Sequence, residues 1–512
     1  VKAVEYFLKE RLAALAPDPA DAGLGELIHF ACTSEDINNL AYALMVKGAV
    51  VQVWLPRATA LVDQLATMAR EHAATPLLAH THGQPATPTT LGKELAVMVY
   101  RLRRQLERIG RTAYLGKLNG ATGTYGAHLA AVPDHDWQAT SRAFVENLGL
   151  QWNPLTTQIE SHDWQAELYA EVARFNRILH GLAQDMWTYI SMGYFAQVRG
   201  QGTVGSSTMP HKVNPIRFEN AEANLEVSCA LLDVLANTLV ESRMQRDLTD
   251  SSMQRNIGTA FGHSLLAIDN VCRGLAGLDA VPTVMIDDLE ANWEVLAEPI
   301  QSAMRALAAR GVPGMDQPYE RLKELTRGRR IGADDLRDFI DDLGLPEDVR
   351  LRLQAMTPRN YVGIAPELVD HLEATHHAYL HAEMPRLAQL AAKVRAVHGA
   401  NHPELAEVES TFAALQADFD PHLAKEERIL FPMIRAGHGS RAGGPIHVME
   451  AEHEDHGQNL ARIRELTADL TAPPEACTTW RALYVRLRRL SDELMEHIHL
   501  ENNVLFPRAL YE

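Results

Sequence analysis

The chain has 512 residues, 46% of them hydrophobic, with 66 acidic against 48 basic side chains and a formal charge of −18. That length allows about two to four domains, and that hydrophobic share fills ordinary cores, so the sequence is globular. The acidic balance excludes a general nucleic-acid or acidic-membrane surface, while a local basic pocket stays compatible with an anionic ligand. Cys32, Cys229, Cys272 and Cys477 lie far apart and form no CxxC, which gives no sign of a disulfide framework or a thiolate zinc site and fits a reducing cytoplasm. No apolar run reaches the roughly 18 residues that cross a bilayer, and the opening stretch is amphipathic rather than signal-like. A cytoplasmic protein with neither a membrane nor a nucleic-acid partner is expected.

Along the chain the pattern is helical almost throughout, which predicts an all-α protein. "VKAVEYFLKERLAAL" (1–15) is amphipathic and ends at a break over 16–23. In "IHFACTSEDINNL" (28–40), Thr33 and Ser34 stand before a helical run. They either cap that helix or offer hydroxyls to a ligand. After the break "THGQPATPTT" (81–90), Leu91, Leu95, Met98, Leu102, Leu106 and Ile109 recur at helical intervals, predicting a helix over 91–109. From 160 to 195, Trp164, Leu168, Val172, Phe175, Leu179, Leu182, Met186 and Ile190 form one long stripe without proline, as in a long bundle.

The run "GQGTVGSSTMPHKVNP" (200–215) has the composition of an ordinary surface loop. It also has what a closing loop needs to bring a hydroxyl, backbone N–H groups and the Lys212 ammonium to one place. In "QRDLTDSSMQRN" (245–256), Arg246 either pairs with Asp247 or Asp250 at the surface or recognises a phosphate or carboxylate. Further breaks fall at 357–363 and 435–445. Histidine then changes frequency: 13 of the 23 lie between His371 and the end, so a junction is expected near 370.

In the C-terminal stretch, "HLAKEERILFP" (422–432) and "HIHLENNVLFP" (497–507) repeat the template H-x3-E-x3-LFP. Residues four apart share one helix face, so His422 with Glu426 and His497 with Glu501 each set an imidazole beside a carboxylate. A single such pair is an ordinary solvated helix face; the duplication points to two clamps facing each other across a metal site. "HEDH" (453–456) spaces its histidines by three rather than four, which argues against a zincin protease.

Two resemblances give these phrases a chemistry. SSxMPxKxNP is the signature of the fumarase/aspartase superfamily. With "IHFACTSEDINNL", "THGQPATPTTLGKE", "QWNPLTTQIE", "MPHKVNPIRFENAEANL" and "QRDLTDSSMQRN" in order, residues 1–370 resemble the bacterial adenylosuccinate lyase family. The resemblance implies a central helical bundle over 1–275, a helical subdomain over 276–369 and β-elimination of fumarate without a cofactor. The substrates it implies are adenylosuccinate and the succinylated aminoimidazole carboxamide ribotide of purine nucleotide synthesis. Ser206 is then the base and His82 the acid. Thr33, Ser34, Gln158, Lys212, Asn220, Arg246, Ser251 and Arg255 are implied substrate contacts, and a homotetramer is implied whose sites draw on several subunits. The family also carries an N-terminal domain with an Arg-Tyr pair and an Asn-His-Asp turn. Neither precedes the first matching phrase, so the resemblance implies incomplete nucleotide contacts and slower turnover in the chain as it stands.

Residues 370–512, through "EATHHAYLHAEMPRL", "VRAVHGANHPEL", "GGPIHVMEAEHEDHG" and the duplicated clamps, resemble the hemerythrin-like domain of the iron–sulfur cluster repair family. That implies a four-helix bundle holding two iron ions on His377, His398, His422, Glu426, His453, His497 and Glu501, with the two glutamates bridging. His376, His456 and His499 are close rivals in sequence, and Glu452 is a candidate supporting residue. A lyase joined to a di-iron unit explains both sets of phrases. Two alternatives stand beside it: a stress-repair or nitric oxide- and oxygen-responsive di-iron protein, with iron–sulfur proteins as partners and an inactive lyase scaffold, and a nonfunctional chimera from a gene-model error.

Overall fold

The computed structural model describes residues 2–15, 23–198, 209, 212–326, 331–369, 371–430, 433, 441–473, 475–502 and 506, with backbone alone at 324–326, 371–382, 420, 427, 428, 478, 492, 493, 496, 499 and 500. The chain forms two compact units, Val1–Leu372 and Glu373–Glu512. Both are helical. Among the described residues β-structure is confined to four short two-stranded ladders, one of them pairing His80–Thr81 with Gln84–Pro85.

In the first unit the helices that matter are α1 (Lys2–Leu15), α2 (Ser34–Ala49), α3 (Leu55–Glu71), α4 (Leu91–Gly110), α5 (Asp163–Ser191), α6 (Ile216–Leu239), α7 (Ile257–Leu275) and α8 (Ala297–Ala309). The stripe read from 91 onward buries Leu91, Leu95, Leu102 and Ile109, with Val99 taking a core place beside the partly buried Met98. The Thr90 side chain caps α4 by accepting from the Lys93 N–H at 3.2 Å, satisfying one donor that a helix start leaves open. In α5 every stripe residue from Trp164 to Met186 is buried, and the helix lies along α6, which in turn lies along α7. At 29 residues, α5 needs that apolar seam on its neighbours, since helix propensity alone gives little stability in water.

A buried polar chain fixes how these helices meet. Trp54 Nε1 donates to Ser264 Oγ (2.9 Å), Ser264 Oγ to Asn176 Oδ1 (2.8 Å), Asn176 Nδ2 to Ser228 Oγ (3.0 Å) and Ser228 Oγ to the Ala260 carbonyl (2.7 Å). Each side-chain link is satisfied, so the chain costs little and penalises any shift of one helix along another. A separate core closes Leu296, Ile300, Met304, Leu336, Ile340 and Leu353 together within residues 293–361.

The second unit is built from α9 (His371–His398), α10 (Glu404–Lys425), α11 (Gly443–Leu466) and α12 (Thr478–Leu500). Leu387, Phe412, Leu415, Phe419, Leu460, Ile463, Trp480, Leu487 and Leu494 fill its core. No described helix is long and apolar enough to cross a membrane.

Candidate active site and metal centre

The first site grows from the start of α2. Thr33 is the N-cap and Asp36 completes a capping box, its Oδ2 accepting from the Thr33 N–H at 2.8 Å. Asp36 Oδ1 accepts from Lys117 Nζ (2.9 Å), the Asn119 N–H (3.0 Å) and the Gly120 N–H (3.3 Å). Asp36 and Lys117 are both fully buried. Asn39 grips the same segment from both sides, accepting from the Lys117 N–H at 2.9 Å and donating to the Lys117 carbonyl at 3.1 Å. Sequence reading missed Asp36, Asn39 and Lys117, although the acidic residue three places after Thr33 carries the capping-box signal.

The segment 117–123 forms one wall. Gly123 has φ +75, and a Cβ there would lie 2.3 Å from the Thr156 carbonyl oxygen, so glycine alone lets the two loops touch. Gln158 Nε2 donates to the Ala121 carbonyl at 3.1 Å, and its Oε1 accepts from Arg246 Nη1 at 3.4 Å. Arg246 Nη2 lies 2.8 Å from Glu35 Oε1. The Arg246 Nε is buried and, among the described residues, makes no hydrogen bond. The surface pairing of Arg246 with Asp247 or Asp250 is therefore replaced by an inward one with Glu35. Asp250 instead faces His162 at 3.4 Å and accepts from the Ser251 N–H at 2.6 Å. Burial raises the Asp250 carboxyl, but the hydrogen bonds from His162 and Ser251 outweigh it and hold the group below the ordinary carboxylate value.

The other expected residues stand apart. His82 is exposed at the tip of the hairpin formed by Gln84–Pro85 and His80–Thr81, with φ +54 next to Gly83 at φ +72. Two successive positive φ values make the tight turn whose twist suits a two-residue hairpin. Lys212 and Arg255 are exposed, and Asn220 on α6 accepts from Asn270 Nδ2 at 2.9 Å. Among the described residues, only Gln158 and Arg246 of the expected substrate contacts are hydrogen-bonded to each other. Ser206 lies outside the described residues.

The second site lies in the bundle of the C-terminal unit. His422, Glu426, His453, His497 and Glu501 bring five ligand atoms within 4.8 Å of one another, all from buried or nearly buried side chains. His422 Nε2 is 2.7 Å from Glu426 Oε1 and 3.1 Å from His453 Nε2; His453 Nε2 is 3.2 Å from Glu501 Oε2; His497 Nε2 is 3.6 Å from both Glu426 Oε2 and Glu501 Oε2. The far side of each of two rings is spoken for. His422 Nδ1 faces Glu452 Oε2 at 2.9 Å, and His453 Nδ1 faces Asn502 Oδ1 at 2.7 Å. Both partners are acceptors, so Nδ1 of each ring donates to them and Nε2 is the nitrogen turned toward the cluster.

Two carboxylates and three imidazole nitrogens converging this way fit a hard-to-borderline divalent cation. Burial pulls His453 down, but hydrogen bonds with Glu426 and Glu501 outweigh it and push it up to about 9. Burial raises Glu426, yet His422, His453 and His497 hold it far below the usual carboxylate range. Glu501 is raised by burial and by the neighbouring Glu426 charge. Local backbone helps: in both clamps the glutamate N–H bonds the carbonyl of the histidine four residues earlier, and a wider π turn begins at the glutamate. Such turns recur at functional sites.

His398 is a correction. It ends α9 with its Nε2 3.2 Å from Cys477 Sγ, and Cys477 caps the start of α12, whereas His497 lies at that helix's other end. Twenty residues of helix span about 30 Å, so His398 cannot reach the cluster. The side chains of His376, His377 and His499 lie outside the described residues. His456 packs against the rings of Phe419 and His422, and burial followed by the charges on His422 and His453 pushes it down to about 4; it supports the cluster as a wall.

Comparison with known proteins gives these sites a family. Residues 1–228 match the family described as Lyase, 242–362 the one described as Adenylosuccinate lyase C-terminal, and 368–509 the Hemerythrin HHE cation binding domain. The fold resembles the crystal structure of fumarate lyase from Mesorhizobium sp. BNC1, with a TM-score of 0.57 at 23% identity over 71% of this chain and 81% of that one. The helical bundle and the matched families thus define a lyase of the fumarase/aspartase class, followed in sequence by a cation-binding unit. Adenylosuccinate lyase of Escherichia coli (strain K12) is 52% identical over 373 residues, 73% of this chain and 80% of that protein. That of Vibrio cholerae serotype O1 is 50% identical over the same shares. The chain belongs to the adenylosuccinate lyase family.

Proposed function

We propose that the chain cleaves adenylosuccinate and the succinylated aminoimidazole carboxamide ribotide by β-elimination of fumarate. His82 protonates the departing nitrogen, and Ser206 removes the proton from the carbon beside a carboxylate. The observation that carries this reading is Arg246. Its guanidinium is held by Glu35 and Gln158 at the start of α2, where its charge suits the phosphorylated dicarboxylate that the family acts on. Thr33 and Ser34 add hydroxyls at the start of α2, where the N–H groups of the first turn favour negative charge. Lys212, Asn220, Ser251 and Arg255 complete the contacts only if further subunits bring separated segments together. The exposed Ile37, Met45, Tyr100, Val227 and Val234 on α2, α4 and α6 supply apolar faces for such a homotetramer. The test is release of fumarate from adenylosuccinate. His82→Ala and Ser206→Ala are each expected to lower turnover by about 10²- to 10⁴-fold with the helical content unchanged; near-normal turnover in both overturns the assignment.

For the C-terminal unit we propose a di-iron centre that His422, Glu426, His453, His497 and Glu501 would hold, with His377 as a further ligand. Iron there would supply reversible binding or redox reaction of a small molecule such as oxygen or nitric oxide. The chain's own residues hold it: Glu452 and Asn502 fix two imidazole orientations, and Phe506, stacked on the His453 ring at 5.9 Å, shields that side from water. Metal analysis of the full chain after anaerobic iron loading is expected to give about two irons per chain. Replacing Glu426 and Glu501 by Ala together is expected to remove most of it; unchanged iron content returns both residues to a purely structural role.

A further inference from the structure

The residues that fall away from the metal cluster form a pairing of their own. Cys477 caps α12, and its Sγ lies 3.2 Å from Nε2 of His398, the last residue of α9. The Trp480 ring stands against His398 at 4.9 Å between centroids and against His402 at 4.7 Å. His402 is engaged on both nitrogens, with Glu404 at 2.9 Å and Glu475 at 3.4 Å. It therefore braces the turn between α9 and α10, while Nε2 of His398 faces the thiol. Cys477 and His398 are both half-buried, which leaves part of each side chain in reach of solvent. The other three cysteines lie in the first unit. Burial raises Cys32, and it pushes Cys229 and Cys272 up to about 11.

We propose that Cys477 and His398 form a thiol–imidazole pair that reacts with small two-electron oxidants of the peroxide class, with the sulfur as nucleophile and Nε2 of His398 as proton acceptor. The thiol passes its proton to Nε2 as a sulfur electron pair attacks one peroxide oxygen. An S–O bond forms, the O–O bond breaks, and the proton goes on to the departing oxygen. With hydrogen peroxide the products are a sulfenic acid and water: sulfur loses two electrons and the peroxide gains them. Negative charge building on the sulfur sits at the start of a 23-residue helix, and positive charge on the imidazole at the end of a 28-residue one, so both helix dipoles favour the transfer. Residues 373–512 contain no second cysteine, so within that unit the sulfenic acid meets no resolving thiol and persists for trapping.

The experiment exposes the full chain to limiting hydrogen peroxide with dimedone, with and without a metal chelator, and quantifies the adduct on each of the four cysteines by peptide mass spectrometry. Cys477 is expected to label at least about tenfold faster than Cys32, Cys229 or Cys272, with or without chelator. His398→Gln is expected to slow that labelling about tenfold or more. The proposal is overturned if Cys477 labels no faster than the other thiols, if its label disappears with chelator, or if a folded His398→Gln chain labels at the original rate. Should His398→Gln lose its helical circular dichroism, the comparison among the four thiols of the unaltered chain decides.

Discussion

Asp36 shows how much one carboxylate can organise. It joins the Thr33 turn to the Lys117–Gly120 segment, and its charge is the counterion of a lysine with no exposure at all. Removing one partner of such a pair leaves the other charge buried, which costs about 3–5 kcal/mol. Asp36→Asn is therefore expected to lower the urea midpoint markedly, and to raise KM more than it lowers kcat, because the wall that positions Thr33 and Gln158 loosens. Equal stability of the variant and the parent would show that Lys117 finds another acceptor. Beyond the capping-box signal, none of this is legible in the sequence. "TSEDINN" announces a helix start, but its acidic residues read equally well as a solvated first turn. Only the fold brings Lys117 to Asp36 and Arg246 to Glu35.

The long helices were the most legible part. The stripes beginning at Leu91 and Trp164 bury as their periodicity requires, and α5 runs from Asp163 to Ser191 against an expected 160–195. Periodicity survives because it needs only one apolar neighbour, whichever helix provides it. The duplicated clamps were legible for the same reason: an i, i+4 spacing is a statement about one helix face. What spacing could not give is which end of a bundle a residue occupies. His398 has the right residue type, but it ends α9 beside the start of α12, while the clamps sit at the far ends of α10 and α12. The residue types that suit a metal site suit a thiol partner as well, and helix rise alone separates the two.

Taken together, Val1–Leu372 and Glu373–Glu512 each carry a complete core of their own, the second built on Phe412, Trp480 and Leu487. A unit that buries its own apolar faces needs no neighbour to fold. Residues 370–512 produced alone are expected to be helical by circular dichroism and to unfold in one cooperative step on heating. A fragment that stays unfolded, or melts without cooperativity, would mean the bundle depends on the lyase unit. The change in histidine frequency near 370 falls close to the division after Leu372, because metal-binding bundles and lyase cores draw on different residue types.

The sequence by itself determined the helical class, the family of the lyase unit and the two His-Glu clamps, since each rests on contiguous phrases or on spacing within one helix. Only the tertiary structure decided that Asp36 and Lys117 form a buried pair, that Arg246 turns inward to Glu35, and that His398 pairs with Cys477 away from the His-Glu cluster. The reason is the same in each case. Local propensity and periodicity act over a few residues of one chain segment, whereas a site is made by groups tens to hundreds of residues apart, whose meeting depends on how helices of given length and direction stack.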